Sequence, residues 1–127
     1  MRPRTSVLTE QELEIMKIVW GRERVTVRDV YETILERRKV AYTTVMTMLR
    51  ILEEKGYLTK SAAEKAYVYR AAEPKERVVG GMVSEFLQRV FDGAAKPLLL
   101  HLVENREVSA KEMEEIAAVV RKGRGRK

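Results

Sequence analysis

The sequence predicts a mainly α-helical chain with one small β-hairpin set after its third helix. Three observations carry that expectation. Apolar residues recur at spacings of three and four along most of the chain. At three places a hydroxyl residue stands three positions ahead of an acidic one, the pattern that caps a helix N-terminus. After Gly56 the period changes to short β-prone runs.

The first helix opens at Thr9, with Glu12 as its reciprocal partner and Leu8 and Leu13 placed as a hydrophobic staple. Leu13, Met16, Val19 and Trp20 form its inward side. Val25–Val27 reads as a short β stretch. Thr26 and Asp29, a weaker capping pair flanked by Val25 and Val30, open the second helix, whose stripe is Val30, Ile34 and Leu35. "AYTTVMTMLRILEEKGYL", Ala41 to Leu58, carries the third. Gly56 suits a left-handed stop, and Lys55 suits the negative end of the helix dipole. Tyr57–Ser61 and Ala66–Ala71 then read as a hairpin around a polar Ala62–Lys65 turn. Pro74 fits the first position of a fourth helix carrying Val79, Met82, Val83, Phe86, Leu87 and Val90. A short apolar segment, Pro97–Val103, follows. Ser109 and Glu112 cap the last helix, with Val108 and Met113 as staple and Met113, Ile116, Ala117 and Val120 as stripe. The expected organisation is residues 1–72, residues 73–120 and a basic tail, 121–127, with no Gly/Ser-rich spacer.

Of 127 residues, 45% are hydrophobic and 35% charged, with a formal net charge of +6, which suits a folded chain with an anionic partner. The charge is uneven. Residues 1–72 hold 14 basic and 10 acidic side chains, and the last seven residues alone hold five basic ones. Absence of cysteine excludes disulfides, zinc-thiolate sites and thiolate sensing by this chain. No apolar run is long enough to span a membrane, and "MRPRTSV" lacks a signal-peptide core, so a cytoplasmic protein without membrane association is expected.

The third helix is amphipathic in an unusual way. Val45, Met48, Leu49 and Leu52 make an ordinary core face, whereas Thr43, Met46, Thr47 and Arg50 face away. Surface helices ordinarily carry Glu and Lys there. The element order is that of a winged helix, in which this helix enters the DNA major groove and the hairpin flanks it. A helix lying against base edges must avoid carboxylates, which phosphates repel. Threonine offers a hydroxyl and a methyl, and arginine can take guanine or a phosphate. Plainer readings stand beside this one: Thr43 or Thr44 caps the helix, Met46 is buried against the hairpin, and Arg50 pairs with Glu54. Lys60, Ser61 and Lys65 at the hairpin, Arg37–Lys39 between the second and third helices, and Arg2 and Arg4 are either phosphate contacts or ordinary solvated charge.

The second part carries more apolar stripe than about fifty residues can bury on themselves, and a twofold dimer is the economical solution. Its candidate contacts are Val79, Met82, Val83, Phe86, Val90, Leu99, Leu102, Ile116 and Val120. Gly80 and Gly81 either admit a close helix or mark a bend. His101, the sole histidine, has no catalytic company, and no nucleophile set, carboxylate pair, phosphate loop or metal cluster can be assembled. The expectation is no enzyme and no cofactor.

The pieces "LTEQELEIMKIVW", "TVRDVYETI", "YTTVMTMLRILEEKGYL", "YVYRAA", "FLQRVFDG" and "LVENREVSAKEMEEI" are similar, in order and spacing, to the BlaI/MecI/CopY family of bacterial repressors, the penicillinase-repressor type. The resemblance implies a winged-helix DNA-binding domain, a helical dimerisation domain, and a homodimer on a roughly palindromic operator. It puts DNA contacts on Tyr42, Thr43, Thr44, Thr47 and Arg50, with hairpin support from Lys60 and Lys65. Copper-responsive members carry a C-terminal Cys-x-Cys arrangement, which this chain lacks. β-Lactam-responsive members are inactivated by cleavage at an Asn–Phe bond, and the corresponding place here is His101–Leu102. Two rivals remain: a winged helix that binds protein and no DNA, and a basic protein held at anionic membrane by its tail.

Overall fold

A computed structural model describes residues 8–123. Helices α1 (Glu10–Arg22), α2 (Val27–Leu35) and α3 (Tyr42–Glu54) precede strands β1 (Leu58–Ala62) and β2 (Tyr67–Ala71). Helices α4 (Lys75–Phe91), α5 (Ala95–Glu104) and α6 (Ala110–Gly123) follow. The described residues are mainly helical with one two-stranded antiparallel hairpin, as the periodicity predicts.

The caps form as read. The Glu12 amide donates to Thr9 Oγ1 at 3.1 Å, and the Thr9 amide to Glu12 Oε1 at 2.9 Å. The Thr26–Asp29 pair is a complete box too, with bonds of 3.0 and 3.1 Å in the two directions. Because Thr26 caps α2 at once, the expected Val25–Val27 strand shrinks to Val25, which exchanges backbone bonds of 3.0 and 2.7 Å with Tyr69. At the end of α3, Gly56 adopts φ 93°, and the amides of Gly56 and Tyr57 donate to the carbonyls of Glu53 and Leu52 at 3.1 and 3.0 Å. This paired closure needs a residue free to take positive φ, which is the reason for glycine there. The hairpin turn is shifted by one residue from expectation, because Ala62 still pairs with Tyr67 and leaves 63–66 as the loop. Pro74 stands one position before α4, its carbonyl accepting from the Arg77 and Val78 amides.

Ile15, Met16, Val19, Val30, Ile34, Val45, Leu49 and Leu52 from the three helices close on Tyr57, just before the hairpin, and on Leu58 and Tyr69 within it. Leu35, assigned to the α2 stripe, is instead 42% exposed at the end of that helix. Glu12 is buried among these residues and takes Lys55 Nζ at 2.7 Å. Burial pushes its carboxyl up, but the Lys55 ammonium and the Thr9 bonds outweigh burial and hold it below the ordinary carboxylate value.

The chain divides inside α4, into residues 1–85 and 86–127. The sequence places the boundary at 72/73. The first half of α4 belongs to the first unit because Val78 is buried in its core and Met82 packs against it. Trp20 Nε1 also donates to the Glu73 carbonyl at 3.0 Å. Nothing in the described chain crowds a Cβ built on Gly80 or Gly81.

In the second unit, Phe86 and Phe91 lie 6.0 Å apart, and Ser109 and Glu112 form the expected reciprocal cap. Helix α6 runs to Gly123 with Arg121 and Lys122 in its last turn, so the segment read as a tail from 121 begins inside a helix. Arg124–Lys127, Arg2 and Arg4 lie outside the described residues. No described helix is long and apolar enough to cross a membrane.

Candidate nucleic-acid interface

Helix α3 keeps its two faces. Val45, Leu49 and Leu52 are buried, and Met48 packs against the same core. Tyr42, Thr43, Thr44, Met46, Thr47 and Arg50 are exposed. There is no acidic residue in the first turn. The N-cap is Ala41, without a side-chain cap, so neither Thr43 nor Thr44 has that duty. Met46 is 44% exposed and not buried under the hairpin. Arg50 does pair with Glu54, at 3.8 Å. Both side chains are more than half exposed, and such a pair is worth little.

A groove of about 690 Å³ opens between the first turn of α2, α3 and the hairpin. Tyr42, Met46, Thr47 and Arg50 line its α3 wall, Thr26 and Arg28 its α2 wall, and Lys60, Tyr67 and Tyr69 its hairpin wall. The Lys60 ammonium sits 4.5 Å above the Tyr67 ring centre and 4.0 Å from Glu53. Tyr42 meets Tyr31 edge-on at 5.3 Å. Burial raises the Tyr69 phenol above its ordinary value, with Lys60 and Arg50 pulling it down and Glu53 adding to the rise. These charges therefore act on one small region.

Of the seven residues expected to touch DNA, Tyr42, Thr47, Arg50 and Lys60 share this groove. Thr43 and Thr44 are exposed on α3 outside it, and Lys65 is exposed in the hairpin loop. Arg28 and Tyr67 also line the groove, and the sequence reading did not single them out. The signal for Arg28 is its place in the first turn of the helix that precedes α3. Tyr67 is signalled by its register opposite Ala62 at the loop end of the hairpin. The basic turn after α2 is otherwise engaged: Arg37 and Arg38 reach Glu14 of α1 at 3.1 and 2.7 Å. The Arg38 hydrogen bond is the main reason that the Glu14 carboxyl lies below its ordinary value. The groups sequence reading assigned to self-association are placed differently from one another. Met82 and Val79 are half-buried in the first unit, whereas Val83, Phe86, Val90, Leu99, Ile116 and Val120 are exposed and Leu102 is half-buried. His101–Leu102 lies within α5. Among the described residues no group of His, Cys, Asp and Glu is placed to hold a metal ion.

Three helices closed by a hairpin, with no acidic residue before Glu53 on the third, make a winged helix, and its sequence match to known repressors makes it a DNA-binding transcriptional repressor. The penicillinase repressor family model matches residues 8–122, and the chain belongs to that family. It is 34% identical over 99 residues to the transcriptional regulator BlaI of Mycobacterium tuberculosis, covering 76% of this chain and 72% of that one. It is 25% identical over 109 residues to a penicillinase repressor of Staphylococcus aureus, covering 86% of each. In fold it is similar to the monomeric form of Bacillus licheniformis BlaI solved with the blaP half-operator, with a TM-score of 0.50, 24% identity, and 60% of this chain and 92% of that one covered.

Proposed function

We propose that this repressor acts as a homodimer on a palindromic operator, with α3 in the major groove and the hairpin beside it on the backbone. The exposed face of α3 carries the reading: Thr43, Thr47 and Arg50 recur on one side, and no carboxylate precedes Glu53. Thr43 and Thr47 meet base edges or thymine methyls, Arg50 takes a guanine or a phosphate, and Tyr42 and Thr44 support the backbone. Lys60 and Lys65 hold phosphates without reading sequence. The related B. licheniformis protein was solved as a monomer on half an operator, which suits one winged helix per half-site. A twofold protein dimer then reads a palindrome.

The apolar faces of α5, α6 and the end of α4 supply the dimer contact. The protein works in the cytoplasm, needs no cofactor and catalyses no reaction. The pair at His101–Leu102 differs from the Asn–Phe bond cut in β-lactam-responsive relatives, so release by that cleavage is not part of this reading.

Footprinting on the DNA upstream of the protein's own gene tests the proposal. A protected palindrome is expected. On that site Arg50→Ala should lose about 1–3 kcal/mol and relax selection at one base pair. An equal loss on random duplex would make Arg50 a phosphate contact. No salt-dependent shift of any duplex would leave the protein-binding winged helix as the better description.

A further inference from the structure

We propose that Arg28 is a further DNA-backbone contact, gripping a phosphate across the groove from Lys60, and that Glu32 is its resident counter-ion in the DNA-free protein. The inference rests on the DNA-binding reading above.

The groove beside α3 carries a cation on each of three elements: Arg28 on α2, Arg50 on α3 and Lys60 on β1. In this architecture the later helix lies in the major groove while the helix before it crosses the backbone. The strand bordering that groove then passes between α3 and its neighbours, and Arg28 is the α2 cation opening onto it. Its side chain is 69% exposed.

All three cations are held by carboxylates: Arg28 by Glu32 at 3.0 Å, Arg50 by Glu54 at 3.8 Å and Lys60 by Glu53 at 4.0 Å. Helix stability does not explain these acids. Glu32, Glu53 and Glu54 stand in the last turns of α2 and α3, near the negative end of the dipole, where acids are disfavoured. The two pairs within helices also run basic to acidic, the weaker order. Each carboxylate occupies the cation until a phosphate replaces it, and it opposes the approach of the strand.

Opposite signs therefore separate this arrangement from a structural role. Binding of the full-length protein to a fluorescent random-sequence duplex is measured by anisotropy from about 50 to 200 mM salt. Arg28→Ala should weaken binding about threefold at the upper salt and lower the salt slope by about 0.9. Arg28→Lys should keep the slope, because a phosphate accepts either cation. Glu32→Gln should do the reverse of Arg28→Ala, binding tighter with a steeper slope. An unchanged slope in Arg28→Ala, or weakening by both Arg28→Ala and Glu32→Gln, overturns the proposal. If the unaltered protein shifts no duplex at low salt, the DNA-binding reading fails and takes this one with it. If the unaltered protein binds and only the variants disagree, Arg28 alone is misassigned.

Discussion

Every buried apolar side chain among the described residues lies between Leu8 and Val78, while from Phe86 to Gly123 none is buried. The second stretch is not short of apolar residues. Phe86, Val90, Leu99, Leu100, Ile116, Val119 and Val120 are 40–68% exposed. Both regions are built from capped amphipathic helices, so local propensity does not separate them. The difference is that three helices and a hairpin of the first unit present their stripes to one another. The helices of the second present theirs outward. The proposed function covers these exposed apolar side chains with a second copy of the chain.

The sharpest way to break this contrast is to remove core volume from one unit and apolar surface from the other. Leu49 is fully buried in α3, and Leu49→Ala should cost about 2–5 kcal/mol. The loss should not depend on protein concentration, because the unit closes on itself. Val120→Asp should leave the dilute chain's unfolding midpoint nearly unchanged but weaken self-association about thirtyfold, read by sedimentation velocity. A monomeric unaltered protein at micromolar concentration would sink the assignment of a second copy to this face.

A smaller effect distinguishes the first unit through pH. The folded Glu12 carboxyl lies below its ordinary value of 4.5, so its contribution is complete above that value and is lost as pH falls through the folded value. Glu12→Gln should cost about 1–2 kcal/mol near neutral pH, because it takes the carboxylate from the partly solvated Lys55 ammonium. It should also flatten the acid-side fall in urea midpoint below about pH 5. A variant with the same acid slope as the unaltered protein would put the linkage on other carboxylates.

Much of this architecture was legible because its signals are local. The boxes at Thr9, Thr26 and Ser109 and the stop at Gly56 need only a few neighbouring residues, and all four stand where expected. The two faces of α3 were legible because helical spacing separates Val45 and Leu49 from Thr43 and Thr47. Long-range consequences were not. Periodicity says that Met82 is apolar, but not that it packs under the first unit while Val83, next in sequence, stays exposed. Likewise no spacing rule brings Arg28 to the groove of Arg50. That depends on how α2 is set against α3. The hairpin was found one residue out of place because a loop without Asn-Gly or Gly carries weak register information.

The smallest effect joins the two units. Lys65 is exposed in the loop between β1 and β2, and the protein gives it no ion pair, ring contact or hydrogen bond among the described residues. Lys60, by contrast, is held by Tyr67 and Glu53. Lys65→Ala should therefore remove one phosphate contact per chain and little else. On a half-site duplex, that lowers the salt slope by about 0.9 and affinity about threefold at the higher salt, with the same loss on any sequence. On a full palindrome two copies bind, so the slope should fall by about twice as much. A sequence-dependent loss would make Lys65 a reader. An equal slope change on half and full sites would mean that only one chain is engaged, and the exposed face of the second unit would not be joining two binding units on one operator.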